Sequence, residues 1–359
     1  MLVCFRVDAS YLIGTGHVTR CLALAKALYV RGATVFFICR PYSGNLFLQI
    51  EQAGFPVYQL SLVLLENSLY PAKKLALWKQ DLEETIAILS AIDSNSKLDW
   101  LILDHYELDV EWEYGMRAMV EQIMVIDDLA NRMHDCDILL DQNLVNKQET
   151  RYRYLVPENC ELLLGPSYAL LDPNYAILHN NIRLREGPVK KLLISFGGAD
   201  IYNLTGRVLE AILQFELSDL ITTHVVVGYS NKHIDLLKSQ IEGKTNIVLH
   251  LDEPTLAPLI QKVDLAIGAC GVTTWERLCL ALPSIVVTTA HNQRPIAEML
   301  EQLGLVRWLG DKDQVTVQAI LKELKNILYA GLDVQWSAHC HALVDGKGVE
   351  RICGNLMLS

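Results

Sequence analysis

Short apolar runs rich in β-branched and aromatic residues alternate with longer helical patterns along the whole chain. The spacing predicts strands at 2–7, 34–39, 57–60, 100–103, 123–126, 137–140 and 161–164, bounded by Gly, Pro or Asp. Helical patterns fall between and after them, near 17–31, 45–54, 73–91 and 109–121. Strands that alternate with helices imply parallel βαβ units. The polar stretch Asn180-Asn-Ile-Arg-Leu-Arg-Glu-Gly-Pro188 breaks the pattern and reads as a linker. The alternation then restarts, with strands expected at 191–196, 223–228, 246–250, 264–268, 284–288 and 305–309. Helices fit 203–216, 231–241, 255–262, 273–281, 293–302 and 314–329, and 333–357 reads as one more helix packing back across the molecule. The architecture expected is α/β: two doubly wound domains, 1–184 and 185–359, whose carboxyl strand edges face one cleft.

A length of 359 residues suits two domains, and 51% hydrophobic residues supply a sizeable core for each. Lys+Arg of 31 against Asp+Glu of 42 gives a net charge of −11. Nucleic acid and anionic membranes require a basic surface, so neither is an expected partner. The nine cysteines are scattered with no C-x-x-C pair, which suits buried reduced thiols better than a secreted disulfide framework. His339-Cys340-His341 does not read as a metal site, because adjacent helical residues point apart and no second ligand pair stands at a suitable spacing. Arg6 and Asp8 interrupt the apolar N-terminus, which does not resemble a signal peptide. No uncharged apolar run reaches the ~18–20 residues of a membrane span. The expected compartment is the cytoplasm and the expected state a monomer.

Residues suited to chemistry gather at the predicted strand ends. The first strand runs through Arg6 and Asp8 into Gly14-Thr-Gly16-His17-Val-Thr-Arg20. Glycines there let the backbone turn tightly, and a helix starting near His17 points free N–H groups at an anion. A third glycine at the dinucleotide spacing is missing, so NAD is not expected. His17 can act as a general base, or it can simply cap the helix or bind a phosphate. Asp104-His105-Tyr106 and Asp127-Asp128 end two further strands. Their carboxylates can bind sugar hydroxyls, hold a histidine in one tautomer, or cap helices. Asp141-Gln142-Asn143 offers amides suited to N-acetyl or hydroxyl groups.

In the second half, Gly197-Gly198-Ala199-Asp200 ends a strand in bare backbone on which a nucleotide can lie. Gly271-Val272-Thr273-Thr274 opens a helix with N–H groups and two hydroxyls, a diphosphate cradle. Glu276 follows in the first turn, where it can accept both ribose hydroxyls or complement the helix dipole. Asn292 and Gln293 follow the next strand on the same edge. Three consecutive polar strand ends favour a nucleotide site in this half. Ser10, Ser195 and Cys270 lack a G-x-S-x-G elbow or a paired base, which disfavours covalent catalysis. No H-E-x-x-H or similar metal spacing is present.

Taken together these motifs resemble a known family. The stretches are FRVDAS…IGTGHVTRCLALA at 5–25, LILDHYELD at 101–109, VIDDLANR at 125–132 and DILLDQN at 137–143. LLGPSYALL at 163–171, ISFGGAD..NLT at 194–205, AIGACGVTTWERLCLALPSI at 266–285 and HNQ at 291–293 complete the set. The chain resembles the UDP-2,4-diacetamido-2,4,6-trideoxy-β-L-altropyranose hydrolases of pseudaminic acid biosynthesis. These look like relatives of the lipid II N-acetylglucosamine transferase, with two Rossmann-like domains of the glycosyltransferase-B type.

The resemblance implies removal of UDP by hydrolysis at the anomeric carbon, with inversion and without a metal or other cofactor. It puts the family's catalytic histidine at His17, as general base. UDP falls to Gly197, Gly198, Ala199, Asp200, Gly271, Val272, Thr273, Thr274, Glu276, Asn292 and Gln293. The sugar falls to Arg6, Asp8, Gly14, Gly16, Arg20, Asp104, Tyr106, Asp127, Asp128 and Asn143. A glycosyltransferase with a hydroxyl acceptor is the main alternative, because base, anomeric centre and nucleotide domain serve both. A nucleotide-sugar sensor is a third. A lipid acceptor would want an apolar and basic patch, and Leu12-Ile13 is a small apolar tip without a neighbouring Lys/Arg cluster.

Overall fold

A computed structural model describes residues 1–62, 71–92 and 97–358. They form two compact units. The first comprises Met1–Asn143, Lys147–Leu170 and Gly348–Ser359; the second comprises Leu144–Asn146 and Leu171–Lys347.

The first unit runs β1 (Leu2–Val7), α1 (Gly16–Val30), β2 (Thr34–Cys39), α2 (Phe47–Gln52), β3 (Val57–Gln59) and α3 (Pro71–Ile92). It continues with β4 (Leu98–Asp104), α4 (Val110–Met116), β5 (Val120–Ile126), β6 (Ile138–Asp141) and β7 (Glu161–Leu164). The strands form a parallel sheet in the order β3-β2-β1-β4-β5-β6-β7. Both faces are covered, which is why β2 and the centre of β4 read as apolar runs and β1 is broken only by Arg6. Phe5, Val7 and Phe37 pack with Leu24 and Leu28 of α1 on one face, while Cys4, Ile38 and Leu101 pack with Trp112 and Met116 of α4 on the other.

The second unit runs α5 (Asn174–His179), β8 (Lys191–Ser195), α6 (Leu204–Leu213), β9 (Thr222–Val227), α7 (Ile234–Gln240), β10 (Ile247–Leu251) and α8 (Ala257–Ile260). It continues with β11 (Leu265–Ala269), α9 (Thr273–Cys279), β12 (Ser284–Thr288), α10 (Arg294–Gln302), β13 (Val306–Asp311), α11 (Val317–Ala330) and α12 (Val334–Leu343). Its parallel sheet has the order β10-β9-β8-β11-β12-β13. The expected α/β class with two doubly wound parallel sheets is the observed one. No helix among the described residues is long and apolar enough to cross a membrane.

Three expectations shift. The helix expected over 109–121 ends at Met116, because Val120 already pairs with Leu98 as the first residue of β5. The single helix expected over 333–357 is two, α12 and α13 (Gly348–Leu358), and α13 belongs to the first unit. Between them Gly346 has φ +76, a left-handed turn, and a Cβ there would lie 2.7 Å from the Ala176 amide nitrogen. The units part at Leu170–Leu171, ahead of the expected 184/185 boundary.

The polar stretch read as a linker lies within the second unit, where Arg185 is only 2% exposed. Its guanidinium donates to the carbonyls of Ile260, Val263, Leu280 and Arg183. The cation thus satisfies backbone acceptors at the ends of α8 and α9, a role open to arginine even in an interior.

Candidate active site

The strand order reverses beside the first strand of each sheet, between β1 and β4 in one and between β8 and β11 in the other. Doubly wound folds take ligands beyond the carboxyl strand ends at such points. In the first unit, β1 register places Val7 opposite Asp104, the last residue of β4. The loop after β1 is drawn tight by Ser10. Its Oγ accepts from the N–H groups of Leu12 (3.2 Å) and Ile13 (2.9 Å), and its carbonyl accepts from Gly14 N (2.8 Å). Gly14 takes φ +84 there, and the turn delivers Gly16 and His17 to the start of α1.

His17 Nδ1 lies 2.6 Å from Asp104 Oδ1. Burial pushes the Asp104 carboxyl up, but the Arg20 guanidinium and His17 outweigh it and hold it well below the usual carboxylate range. An ionised Asp104 can only accept, so Nδ1 carries a proton, and in that tautomer of the neutral ring the lone pair lies on Nε2. Among the described residues none bonds to Nε2. Arg20 grips Asp104 through Nε and Nη2, each 2.6 Å from a carboxylate oxygen, and reaches Asp128 Oδ2 at 3.4 Å. The Tyr106 and His17 rings meet nearly perpendicular at 4.6 Å between centroids, and the Tyr106 hydroxyl donates to Asp128 Oδ2 at 3.1 Å. Histidine, carboxylate and orienting arginine therefore converge at the reversal point. This arrangement fits a neutral imidazole for proton abstraction.

Other first-unit candidates turn inward. Arg6, expected at the sugar, is wholly buried. It bonds Asp8 Oδ1 (2.7 Å) and Oδ2 (3.0 Å) and Asp81 Oδ1 (3.1 Å) and Oδ2 (2.6 Å). Asp8 also accepts from Arg40 N at 2.7 Å and lies 3.2 Å from His105 Nε2. Arg6 is thus the buried centre of an ion-pair network, with no surface for a ligand. Asp127 is likewise buried: its Oδ2 accepts from the N–H groups of Leu129 and Ala130, and Arg132 lies 2.8 Å from its Oδ1. Asn143 N donates to Asp141 Oδ1 at 3.0 Å. Burial lifts the Asp141 carboxyl to about 6, against the pull of Arg151.

In the second unit, Gly197 turns at φ +86 after β8. Asp200 accepts from Leu204 N (3.0 Å) on one carboxylate oxygen and from Thr205 N (2.8 Å) on the other. Its carboxylate thus satisfies the first two N–H groups of α6, beside the N-cap Asn203, whose side chain accepts from Gly206 N. Gly198 and Ala199 lie between them in the turn. After β11, Val272 precedes Thr273 and Thr274 at the start of α9. The Thr274 hydroxyl faces inward, 3.4 Å from Ala269 O and 3.0 Å from Arg277 Nη2, so only Thr273 of the expected pair stays clear of that interior contact. A Cβ on Gly271 would meet Gln293 Nε2 at 3.6 Å, so these two candidates adjoin. Gln293 Oε1 accepts from Thr289 N at 2.8 Å, and Asn292 shares its short 3₁₀ turn, His291–Gln293.

Glu276 Oε2 and the Tyr175 hydroxyl are both buried without a hydrogen-bond partner among the described residues. Burial lifts the Glu276 carboxyl to about 7, with the neighbouring Tyr175 pulling it down. An orphaned carboxylate oxygen at a strand-end helix fits a hydroxyl-bearing ligand. In contrast, Cys340 donates to Leu305 O, and His341 Nε2 lies 3.1 Å from His179 O, so these residues of the His-Cys-His stretch have local partners.

Several site neighbours carried no clear sequence signal. Asp81 sits mid-helix in α3, and Arg151 and Tyr152 follow no strand end. Arg40 directly follows β2, and Arg277 directly follows Glu276, so position at the sheet edge was the available clue.

No family model matches the chain. It is similar to the UDP-2,4-diacetamido-2,4,6-trideoxy-beta-L-altropyranose hydrolase of Campylobacter jejuni, with 28% identity over 306 residues, 85% of this chain and 97% of that one. It is also similar to the spore coat polysaccharide biosynthesis protein SpsG of Bacillus subtilis, at 24% identity over 96% of this chain and 94% of that one. Among solved structures it is similar to MurG of Acinetobacter baumannii, with a TM-score of 0.64 and 13% identity over 100% of this chain and 99% of that one. LpCGTa in complex with UDP matches with a TM-score of 0.63 and 13% identity, over 100% and 99% of the two chains. The chain has the glycosyltransferase-B fold and is a distant homologue of the hydrolase.

Proposed function

We propose that the chain hydrolyses a UDP-linked diacetamido sugar, releasing UDP and the free sugar with inversion at the anomeric carbon. The observation that carries this reading is His17. Its Nδ1 is tied to an ionised Asp104, and its Nε2 is left as a base at the reversal point of the first sheet. Homology to the hydrolase supports water as the acceptor. In the reaction, water attacks the anomeric carbon, its proton passes to His17 Nε2, and the bond to the UDP oxygen breaks with its electron pair on UDP. Asp104 holds the tautomer and stabilises the imidazolium that forms. Tyr106 and Asp128, beside His17, are the first-unit groups we assign to the sugar. The second unit takes UDP, with Glu276 on the ribose and the Gly271–Thr273 backbone on the diphosphate.

Incubation with the UDP-diacetamido sugar in metal-free buffer, followed by NMR, tests the reading. Free sugar of inverted configuration is the expected product. His17→Ala should lower turnover by roughly 10²–10⁴-fold while UDP affinity stays near wild type. Near-normal turnover in that variant removes the base assignment.

One observation favours a second reading, sugar transfer to a hydroxyl. The loop leading to His17 exposes Tyr11 (43%) and Leu12 (80%), an apolar tip that an acceptor could cover. Cleavage only after an alcohol is added would decide for transfer.

A further inference from the structure

Arg277 is only 2% exposed, yet among the described residues it forms no ion pair with a carboxylate. The other deeply buried arginines are satisfied in one of two ways. Arg6 and Arg20 face carboxylates, and Arg185 is ringed by backbone carbonyls. Arg277 has neither. Its Nη2 donates to Ala269 O (2.7 Å) and to the Thr274 hydroxyl (3.0 Å). Its Nε is buried without a partner, and Nη1 bonds no described residue. Burial lowers its pKa to about 10, which still leaves it cationic at neutral pH. A buried guanidinium with unused donors is costly unless something supplies acceptors.

Its place in the fold says where those acceptors would come from. A Cβ added to Gly268 would lie 2.5 Å from Arg277 Nη1 and 2.3 Å from Ser195 O. The guanidinium therefore lies against bare backbone where Gly268 of β11 pairs with Ser195 of β8. These are the two strands between which the second sheet reverses. The loops leaving both strands carry the candidate nucleotide residues.

We infer that Arg277 is the charged floor of an anion site in the second unit and donates to a phosphate oxygen of a nucleoside diphosphate. This rests on the nucleotide-binding reading of that unit and adds the group that supplies its positive charge. A guanidinium suits the role, because its fork meets phosphate oxygens with two donors at once. It also lets a chain of net charge −11 hold a dianion without a basic surface.

Calorimetric titration of the whole protein with UDP, uridine and inorganic pyrophosphate tests this. Wild type should bind UDP well above uridine, and pyrophosphate should compete with UDP. Arg277→Gln should weaken UDP binding roughly 10- to 100-fold and leave uridine binding unchanged. Arg277→Lys keeps the charge without the fork, should lie between, and gives the same comparison if the Gln variant does not fold. Equal losses for UDP and uridine, or no loss for UDP, would overturn the inference. Wild type that binds uridine as tightly as UDP would overturn it alone; wild type that binds neither would remove the nucleotide reading beneath it.

Discussion

Asp104 and Glu276 both stand at the carboxyl edge of a sheet, and their surroundings drive them in opposite directions. Arg20 and His17 overcome burial and keep Asp104 ionised. Burial prevails at Glu276 and lifts it to about 7. The sign has two consequences. The folded chain keeps a proton that the unfolded chain releases near 4.5, so the stability Glu276 contributes is complete below that pH and lost as pH rises through about 7. Ligand binding runs the other way if the ionised carboxylate accepts the ribose hydroxyls. Uridine affinity is then expected to fall by up to about tenfold per unit as pH drops below that pKa. Uridine is the apt probe because it carries no phosphate to titrate. A flat profile in wild type, or the same slope in Glu276→Gln, would refute the ribose assignment. Both residues were legible as candidates from strand-end position. Their ionisation was not, because it depends on groups such as Arg20 and Tyr175 brought up by folding.

At the scale of elements, strand ends were far easier to read than helix faces. The apolar runs of β1, β4 and β11 announced their strands, and polar residues directly after them marked the ligand edge. Helix α3 shows the limit. Trp78, Asp81, Leu82, Thr85 and Leu89 share its inner stripe, and Asp81 is only 4% exposed. A lone aspartate among Lys and Glu residues looks solvated, since its counterions, Arg6 and Arg40, lie far away in sequence. Asp81 also accepts from Trp112 Nε1 at 3.2 Å, which ties α4 to the same network. Asp81→Ala leaves two buried guanidinium groups short of a partner and should cost about 3–5 kcal/mol in chemical denaturation. A loss below about 1 kcal/mol would mean that the network adds nothing to stability. Asp200 makes the complementary point: its carboxylate, at a strand end, accepts from Leu204 N and Thr205 N and so supports the start of α6 beside the N-cap Asn203.

At the scale of the whole molecule, the last helix returns to the unit that the chain left at Leu170. Val349, Ile352, Cys353 and Leu356 of α13 enter the core beside α1, and Trp100 Nε1 donates to Leu356 O at 3.0 Å. Burying these side chains contributes roughly 1.5–3 kcal/mol each as an upper estimate, comparable in sum with the stability of a domain. Truncation after Lys347 should therefore expose the first unit to limited proteolysis while the second stays resistant. Equal resistance of both units would show that α13 is dispensable. Sequence periodicity alone determined the two parallel sheets and the loops that carry the candidate site, because apolar alternation and strand-end polarity are local properties. Tertiary structure decided the rest: the proton on His17 Nδ1, the burial of Arg6, the counterions of Asp81, the want of a carboxylate partner for Arg277 among the described residues, and the destination of α13. Each depends on partners far apart in sequence, and no local pattern encodes which buried charge will find one.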